Sequence, residues 1–302
     1  MARESKREGT AEGHKAVAGE LLAPGLYLVA TPIGNAADVT LRALDVLARA
    51  DAIAAEDTRR TRRLMDIHGI ALGERPFVSY HDRNGAARRP QIEAWLAEGR
   101  SVAYCSDAGT PLVADPGYRL ARLAIEGGHK MTAVPGPSAV LAALSLSGLP
   151  TDRFLFAGFL PPKAGARHGA LMELKGVPAT LVFYESPRRL AGALADMEAV
   201  LGAREAAVAR ELTKRFEEVR RGPLPELAGA YAAQEAPKGE IVVVVAPPDP
   251  GAQAEESEAA LDDALAAALE TQSVKDAAKE VSARLGLPRK TVYARALELT
   301  RE

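Results

Sequence analysis

The segment Tyr104 to Gly117, YCSDAGTPLVADPG, holds residues suited to binding a small molecule. An apolar run, SVAYC, ends there and is followed by Ser, Asp, Gly and Pro. Loops at the carboxyl ends of strands usually bind the ligands of α/β proteins, and Gly109 lets the backbone approach a ligand closely. The segment has no basic residue and no P-loop or GxGxxG pattern, so main-chain groups are predicted to hold the ligand. An ordinary strand-to-helix turn is the alternative interpretation.

Three other side chains follow strand-like runs and are candidates for proton transfer. His81 stands in SYHDRN beside Asp82 and could act as a base near neutral pH. Glu56 follows a second run and Glu185 a third. A structural histidine in a turn is an equally good interpretation of His81. The five histidines show no HxxxH spacing, so no metal site is predicted.

Strand-like and helical patterns alternate along the chain, which indicates an α/β fold with a mostly parallel sheet in the first half. The second half is denser in β-type residues, and a mixed sheet is predicted there. Strands are predicted over residues 25–30, 51–56, 76–80, 101–105, 131–136, 153–160, 179–185, 206–211, 216–224 and 239–246.

The length of 302 residues and the 47% hydrophobic content predict two domains with substantial cores. We predict a disordered extension (1–24), an N-terminal α/β domain (25–136) and a C-terminal α/β domain (137–246). The segment APPDPGAQAEESE is rich in Pro, Gly and acids, so residues 247–258 are predicted to be a linker before a helical module (259–302).

The helical module resembles a helix-turn-helix. Ala277, Ala278 and Val281 have the helical spacing of an inward face, and Gly286 is predicted to make the turn. Arg289 would then lie where the second helix begins, at the end of that helix that contacts a nucleic acid. A small helical module for dimer or RNA contact is the alternative.

The overall charge of −2 means that any attraction to nucleic acid must come from local basic patches. The single cysteine, Cys105, lies in an apolar run and is predicted to be a core residue, which favours a reducing, cytoplasmic setting. No apolar run approaches the ~20 residues of a membrane span. Residues 1–20 lack the apolar core of a signal peptide.

Five short motifs follow one another in a specific order: TPIGN from Thr31, EDTR from Glu56, SDAGTP from Ser106, ESPRR from Glu185 and RELTK from Arg210. Together they resemble the family of S-adenosylmethionine-dependent ribosomal RNA 2′-O-methyltransferases of the RsmI type, in the tetrapyrrole methylase superfamily. The resemblance covers roughly residues 25–245. It implies a class III methyltransferase fold of two α/β domains with a cleft between them, and a homodimer. It also implies methylation of the ribose 2′-hydroxyl of a cytidine in the decoding region of 16S rRNA, on the small ribosomal subunit.

The resemblance also implies which residues hold S-adenosylmethionine. Its methionine part is expected beside the TPIGN and SDAGTP loops and the residues after the domain junction, namely Pro32, Gly34, Asp107, Ala108, Gly109, Ser138 and Ala139. The adenosine end is expected against Phe159, Tyr184, Ala209, Arg210, Lys238 and Gly239. Small residues permit close main-chain hydrogen bonds, and aromatic rings suit an adenine face. The alternative is a purely structural role, with Pro32 and Gly34 as turn formers and Phe159 and Tyr184 as core aromatics.

Basic residues form local clusters that could bind RNA phosphates. Without the family resemblance, a solvated surface would be the better interpretation of these residues. With it, we predict an RNA-binding rim made by Arg59, Arg60, Arg62, Arg63, Arg83, Arg188, Arg189 and Lys214.

Two other functions are open at this stage. A small-molecule methyltransferase acting on a tetrapyrrole would keep the cofactor site but lack the basic rim. A nucleic-acid-binding regulator with a degenerate methylase domain would use the helical module as its main site. RNA-dependent incorporation of a methyl group distinguishes the three.

Overall fold

The computed structural model describes residues 21–300, and most of the predicted N-terminal extension lies outside them. The described chain divides into two compact units. The first contains the residues up to Ser147 together with Ala209–Val219 and Gly239–Val242, and the second contains the remainder. The boundary predicted between residues 136 and 137 differs from this division, because the helix that follows it belongs to the first unit.

The first unit is built on a five-stranded parallel sheet with the order β3-β2-β4-β1-β5. Its strands are β1 (Gly25–Val29), β2 (Ala52–Ala55), β3 (Phe77–Ser79), β4 (Ser101–Cys105) and β5 (Met131–Val134). Its helices are α1 (Leu41–Arg49), α2 (Thr58–Ile67), α3 (Gly85–Ala97), α4 (Tyr118–Glu126) and α5 (Ala139–Ser147).

Strands β1 and β4 end side by side in the middle of this sheet. Val29 pairs with Cys105, so the loops that follow the two strands start at the same level. The strand order reverses at this point, since the chain leaves β1 toward one edge and reaches β5 at the other. A crevice at such a reversal is where open α/β sheets bind ligands. Both strands are buried, as the apolar run SVAYC predicts.

The second sheet has the order β6-β7-β10-β8-β9. Its strands are β6 (Phe154–Phe159), β7 (Thr180–Glu185), β8 (Glu205–Arg210), β9 (Glu218–Pro223) and β10 (Ile241–Val245), with helices α6 (Ala164–Leu174), α7 (Leu190–Leu201) and α8 (Leu224–Ala232). Every predicted strand is therefore confirmed, with its ends within two residues of the predicted ones.

Three helices, α9 (Pro250–Leu269), α10 (Val274–Leu285) and α11 (Arg289–Leu299), form the C-terminal module. Ala277, Ala278 and Val281 are fully buried, and Gly286 ends α10 in the left-handed conformation, as predicted. The predicted linker 247–258 differs from the structure, because α9 begins inside it. The Asp249 side chain accepts a hydrogen bond from the Gly251 N–H at 2.8 Å, and Pro250 occupies the first helical position. A capping aspartate followed by proline starts a helix.

Within residues 21–300, no helix combines the length and the apolar character needed to cross a membrane.

Candidate functional site

The loops after β1 and β4 are joined by a short ladder of hydrogen bonds. The Thr31 N–H donates to the Gly109 carbonyl at 3.0 Å, and the Gly109 N–H donates to the Thr31 carbonyl at 2.9 Å. The Thr31 hydroxyl donates to the Ser106 carbonyl at 3.1 Å, and the Ser106 hydroxyl donates to Gly109 at 2.8 Å. The TPIGN and SDAGTP motifs are therefore two halves of one pre-formed structure.

Gly109 gives this structure its shape. Its φ is +80°, which favours glycine, and an added Cβ would lie 3.3 Å from Ile33 Cγ2 and 3.7 Å from the Pro137 carbonyl oxygen. The Thr110 hydroxyl donates to the same Pro137 carbonyl at 3.1 Å. Pro137 is thus bonded to the SDAGTP loop. Ser138 and Ala139, which are predicted to bind the cofactor, follow Pro137 directly in the chain.

The RELTK motif, residues 210–214, packs against the TPIGN loop. The Asn35 N–H donates to the Thr213 hydroxyl at 3.1 Å. A Cβ on Gly34 would lie 2.4 Å from Lys214 Cγ and 3.0 Å from the Leu212 carbonyl oxygen, so only glycine fits there. Glu211 and Thr213 have φ values of +51° and +63°, which costs non-glycine residues energy and often marks functional segments.

Lys214 anchors this segment. Its ammonium lies 2.8 Å from a Glu211 carboxylate oxygen and 2.9 Å from one of Glu240. Burial lowers the pKa of Lys214, but the hydrogen bonds to these carboxylates outweigh it and raise the pKa overall. Glu211 also covers Gly239, whose φ is +105°. Lys214 thus has a structural role in this segment, and its predicted contact with RNA stays a prediction.

A cavity of about 160 Å³ opens beside the joined loops. It brings predicted cofactor residues together with two predicted RNA-binding arginines. Its lining consists of Thr31, Pro32, Gly34, Ala36, Arg60, Thr61, Arg63, Leu64, Ile67, Ser106 and Asp107. A larger cavity of about 840 Å³ in the second unit contains none of the predicted site residues.

Asp107 lines this cavity, and one oxygen of its carboxylate lacks a hydrogen-bond partner among the described residues. Its Oδ1 atom is buried and has no hydrogen-bond partner among the described residues, and Oδ2 lies 3.7 Å from Arg60 Nε. Burial raises the pKa of Asp107, and Arg60 opposes the shift. A buried acceptor without a donor is costly unless a ligand supplies one.

Glu56 holds the SDAGTP loop through a side-chain hydrogen bond. Its Oε2 atom accepts the Asp107 N–H at 3.1 Å. Burial raises the pKa of Glu56; the bond from Asp107 N–H opposes the shift, and the nearby carboxylates of Asp107 and Asp115 add to it. Asp115 itself accepts the Tyr104 hydroxyl and the Gly117 N–H, both at 2.7 Å. The sequence did not single out Asp115; its place in ADPG, ahead of a helix, is the only signal for it.

The raised pKa of Glu56 predicts a pH-dependent stability effect of Glu56→Gln. A folded-state pKa above the unfolded value of 4.5 means that the ionised carboxylate destabilises the folded protein at neutral pH. We expect Glu56→Gln to unfold at higher urea concentration than the wild type at pH 7. The gain should shrink as the pH falls through the folded pKa and vanish below about 4.5, because wild-type Glu56 is then neutral too. An equal gain at every pH would contradict the burial argument.

The other two predicted bases have structural contacts. His81 is half-buried in the turn that begins α3. Its backbone N–H donates to Asn84 Oδ1 at 2.9 Å, and its backbone carbonyl accepts the Gly85 N–H at 2.8 Å. Glu185, in the second unit, has a fully buried side chain that pairs with Arg189 at 3.1 Å. Arg189 also donates to the Leu160 carbonyl. Glu185 and Arg189 thus form an internal ion pair, and their predicted roles as a base and as an RNA ligand stay predictions.

The arginines of α2 are exposed and differ in their contacts. Arg59 holds Asp57 with contacts of 3.0 and 2.6 Å, which lowers the pKa of Asp57 to about 2. Arg62 stacks over the Phe77 ring at 5.6 Å. Arg63 has no hydrogen-bond or ion-pair partner in the part of the chain that the structure describes. Arg83 and Arg188 are also exposed.

The residues predicted for the adenosine end fall in both units. In the second, Phe159 and Tyr184 pair edge to face with ring centroids 5.5 Å apart, and Lys238 is exposed. In the first, Ala209 is fully buried and Arg210 pairs with Glu218 at 2.9 Å. Their roles toward a cofactor stay predictions.

No group of three or more His, Cys, Asp or Glu residues arranged to hold a metal ion occurs between residues 21 and 300.

The fold and the two joined loops define the class of protein. The family model for Tetrapyrrole (Corrin/Porphyrin) Methylases matches residues 25–228. A uroporphyrin-III-C-methyltransferase from Thermus thermophilus superposes with a TM-score of 0.52 at 25% identity, covering 72% of this chain and 93% of that one. A diphthine synthase gives a TM-score of 0.57 at 17% identity, covering 73% and 89%, which supports the fold alone.

Sequence relatives narrow the class. A ribosomal RNA small subunit methyltransferase I from Mesorhizobium japonicum is 54% identical over 92% of this chain and 93% of its own. A protein of the same name from Micromonospora olivasterospora is 44% identical over 96% and 90%. The family model for the RsmI C-terminal HTH domain matches residues 255–300. The chain therefore belongs to the family of ribosomal RNA small subunit methyltransferases I, within the tetrapyrrole methylases.

Proposed function

We propose that this protein transfers a methyl group from S-adenosylmethionine to the ribose 2′-hydroxyl of a cytidine in the decoding region of 16S rRNA. The observation that carries the proposal is one cavity, lined by both methylase loops and by Arg60 and Arg63. The loops that are expected to hold the cofactor and two cations that can bind phosphate therefore line the same cavity. The sequence relatives, which are named as ribosomal RNA methyltransferases, support an RNA substrate over a tetrapyrrole.

The residues of the first unit fit the methionine part of the cofactor. Gly34 and Gly109 bring main chain close to the cavity, and the unpartnered Asp107 Oδ1 can accept a hydrogen bond from an ammonium group. The cavity volume of about 160 Å³ suits a part of such a ligand, since whole ligand pockets are typically ~300–1,000 Å³. When bound, S-adenosylmethionine supplies an electrophilic methyl group on its sulfonium.

Transfer to a ribose needs the hydroxyl to be held in line and its proton to leave. Positioning alone supplies up to ~7–11 kcal/mol, so the rigid loops are the main contribution we assign to this chain. Glu56 and His81 follow neighbouring parallel strands, and we keep both as candidate bases. The raised pKa of Glu56 brings its proton affinity closer to that required at neutral pH.

We infer that the arginines of α2 bind RNA phosphates beside the cavity. Arg59→Ala combined with Arg63→Ala should weaken RNA binding and lower the slope of log affinity against log salt by about one unit per lost phosphate contact. Filter binding at several salt concentrations measures the slope. The matched control replaces Arg119 and Arg122, two exposed arginines of α4 with a similar local ion pair. Equal slopes for both double variants would make the α2 arginines ordinary surface residues.

We also propose an oligomeric state, a cellular location and a role for the C-terminal module. We propose a homodimer, as the family resemblance implies, and activity in the cytoplasm, as expected for a protein that acts on 16S rRNA. The C-terminal module, with exposed Arg289 and Lys290 at the start of α11, is assigned to RNA contact.

A substrate comparison tests the proposed function. Purified protein with methyl-labelled S-adenosylmethionine should label small ribosomal subunits from cells that lack this protein, and ribonuclease should release the label. It should not label uroporphyrinogen III. Transfer to the tetrapyrrole in preference to the RNA would overturn the proposal.

A further inference from the structure

Phe216 is a large apolar side chain with 65% of its surface exposed, on the segment that packs against the TPIGN loop. The Arg215 guanidinium lies over its ring, 5.4 Å from the centroid. Arg215 is itself exposed and forms no ion pair with any residue that the structure describes. Neither side chain contributes to the core or to the cavity, so the segment presents an aromatic ring and a cation to solvent.

The segment that carries the two side chains is held firmly. The Glu217 N–H donates to the Lys214 carbonyl at 3.1 Å, so Arg215 and Phe216 are the two central residues of a tight turn. A Glu217 carboxylate oxygen accepts the Thr213 N–H at 2.6 Å. Lys214 is fixed by its two carboxylate partners, and Leu212 is buried. A fixed turn that exposes phenylalanine gains nothing in stability from the ring.

The turn lies close to the candidate site. Thr213 contacts Asn35 of the TPIGN loop, and Phe216 is three positions after Thr213 in the chain. At ~3.8 Å per residue, the Cα atom of Phe216 lies at most about 11 Å from that of Thr213.

We infer that Phe216 and Arg215 form a stacking platform for an unpaired nucleobase of the RNA substrate, at or beside the nucleotide that is methylated. This inference rests on the proposed function. Sequence-specific RNA recognition uses unstacked bases placed against aromatic rings and guanidinium planes, and the platform offers both. Glu211 and Glu240 pair with Lys214, and Glu218 pairs with Arg210, so these acids do not hold the Arg215 guanidinium, which can contact a base.

Substitution of Phe216 gives the first test. Phe216→Ala should raise the KM for small ribosomal subunits roughly 5- to 100-fold, the range expected for loss of one stacked base. Cofactor affinity and thermal midpoint should stay at wild-type values, because the ring packs against nothing in the core. Phe216→Tyr should restore the KM. Ile125→Ala, at a residue of α4 that is 61% exposed, is the matched control and should have no effect.

Fluorescence gives a second test that does not depend on turnover. The only tryptophan of the chain, Trp95, is 8% exposed, so Phe216→Trp adds a single solvent-exposed reporter. Stacking of a base should quench its emission when a single-stranded oligoribonucleotide of the decoding-region sequence is added. Ile125→Trp should not be quenched.

An unchanged KM in Phe216→Ala, with no quenching of Phe216→Trp, would overturn the inference while wild-type methylation of the RNA leaves the proposed function standing. Conversion of Phe216→Ala to a smaller species in sedimentation would overturn it in favour of a contact between copies of the chain. Absence of RNA methylation by the wild type would instead remove the proposed function.

Discussion

Replacing Gly109 with valine is expected to abolish S-adenosylmethionine binding and leave a folded protein. The φ of +80° at this position disfavours any side chain, and a Cβ would lie 3.3 Å from Ile33 Cγ2, which is a tight contact. Relief of the contact would break the hydrogen-bond pair between Gly109 and Thr31. We expect at least a ~100-fold loss of cofactor affinity in calorimetry, because the cavity wall would lose its shape.

The control for this variant is Gly99→Val. Gly99 has a similar φ of +76°, and nothing lies within 4 Å of its added Cβ. Both variants should lose about 1–2 kcal/mol of stability from the left-handed backbone, and only Gly109→Val should lose the cofactor. Wild-type affinity in folded Gly109→Val protein would remove the SDAGTP loop from the site.

Gly34→Val has the second-largest expected effect. The added Cβ would lie 2.4 Å from Lys214 Cγ, 2.8 Å from Thr213 Oγ1 and 3.0 Å from the Leu212 carbonyl oxygen. Because the last of these is backbone, the TPIGN loop and residues 211–217 must separate. We expect a loss of about 1–3 kcal/mol in stability from overpacking, and at least ~10-fold weaker cofactor binding. Denaturant unfolding and calorimetry measure the two effects.

Two further variants show whether the close approach causes the loss. Gly229→Val places valine at a glycine of α8 that has no neighbour within 4 Å of the added Cβ, and it should bind the cofactor normally. Gly34→Ala should be less harmful when combined with Lys214→Ala, which removes the nearest atom, than the sum of the single variants. Additive losses would show that the contact between the two segments does not set the site.

The strands and the joined loops were predictable from sequence for a physical reason. Apolar β-type runs ending in Gly, Pro and Asp specify buried parallel strands with loops at one edge, and the strand ends differ from the predicted ones by at most two residues. Gly109 has the positive φ that its place in a ligand loop suggests. Thr31 could not be singled out in this way, because its partner Gly109 is distant in sequence.

The features that the sequence did not predict have equally local causes. Residues 247–258 have a linker-like composition, but Asp249 and Pro250 form a helix start, which is a positional signal and not a compositional one. Glu185 was predicted as a base and Arg189 as an RNA ligand, and the sequence did not predict that the two form an ion pair with each other. Lys214 has the charge of an RNA ligand, yet its partner Glu240 lies 26 residues away in sequence. Composition does not reveal which charges are already paired.

The activity that we propose for this chain is methylation of a ribose of the small-subunit RNA. The most direct measurement is mass spectrometry of nucleosides from 16S rRNA of a strain that lacks the protein, before and after treatment of its small subunits with purified protein and S-adenosylmethionine. We expect 2′-O-methylcytidine at a decoding-region site to be missing before treatment and restored after it, by the wild type and not by Gly109→Val. An unchanged 2′-O-methylcytidine content in the deletion strain, with no methyl added by the purified protein, would contradict it.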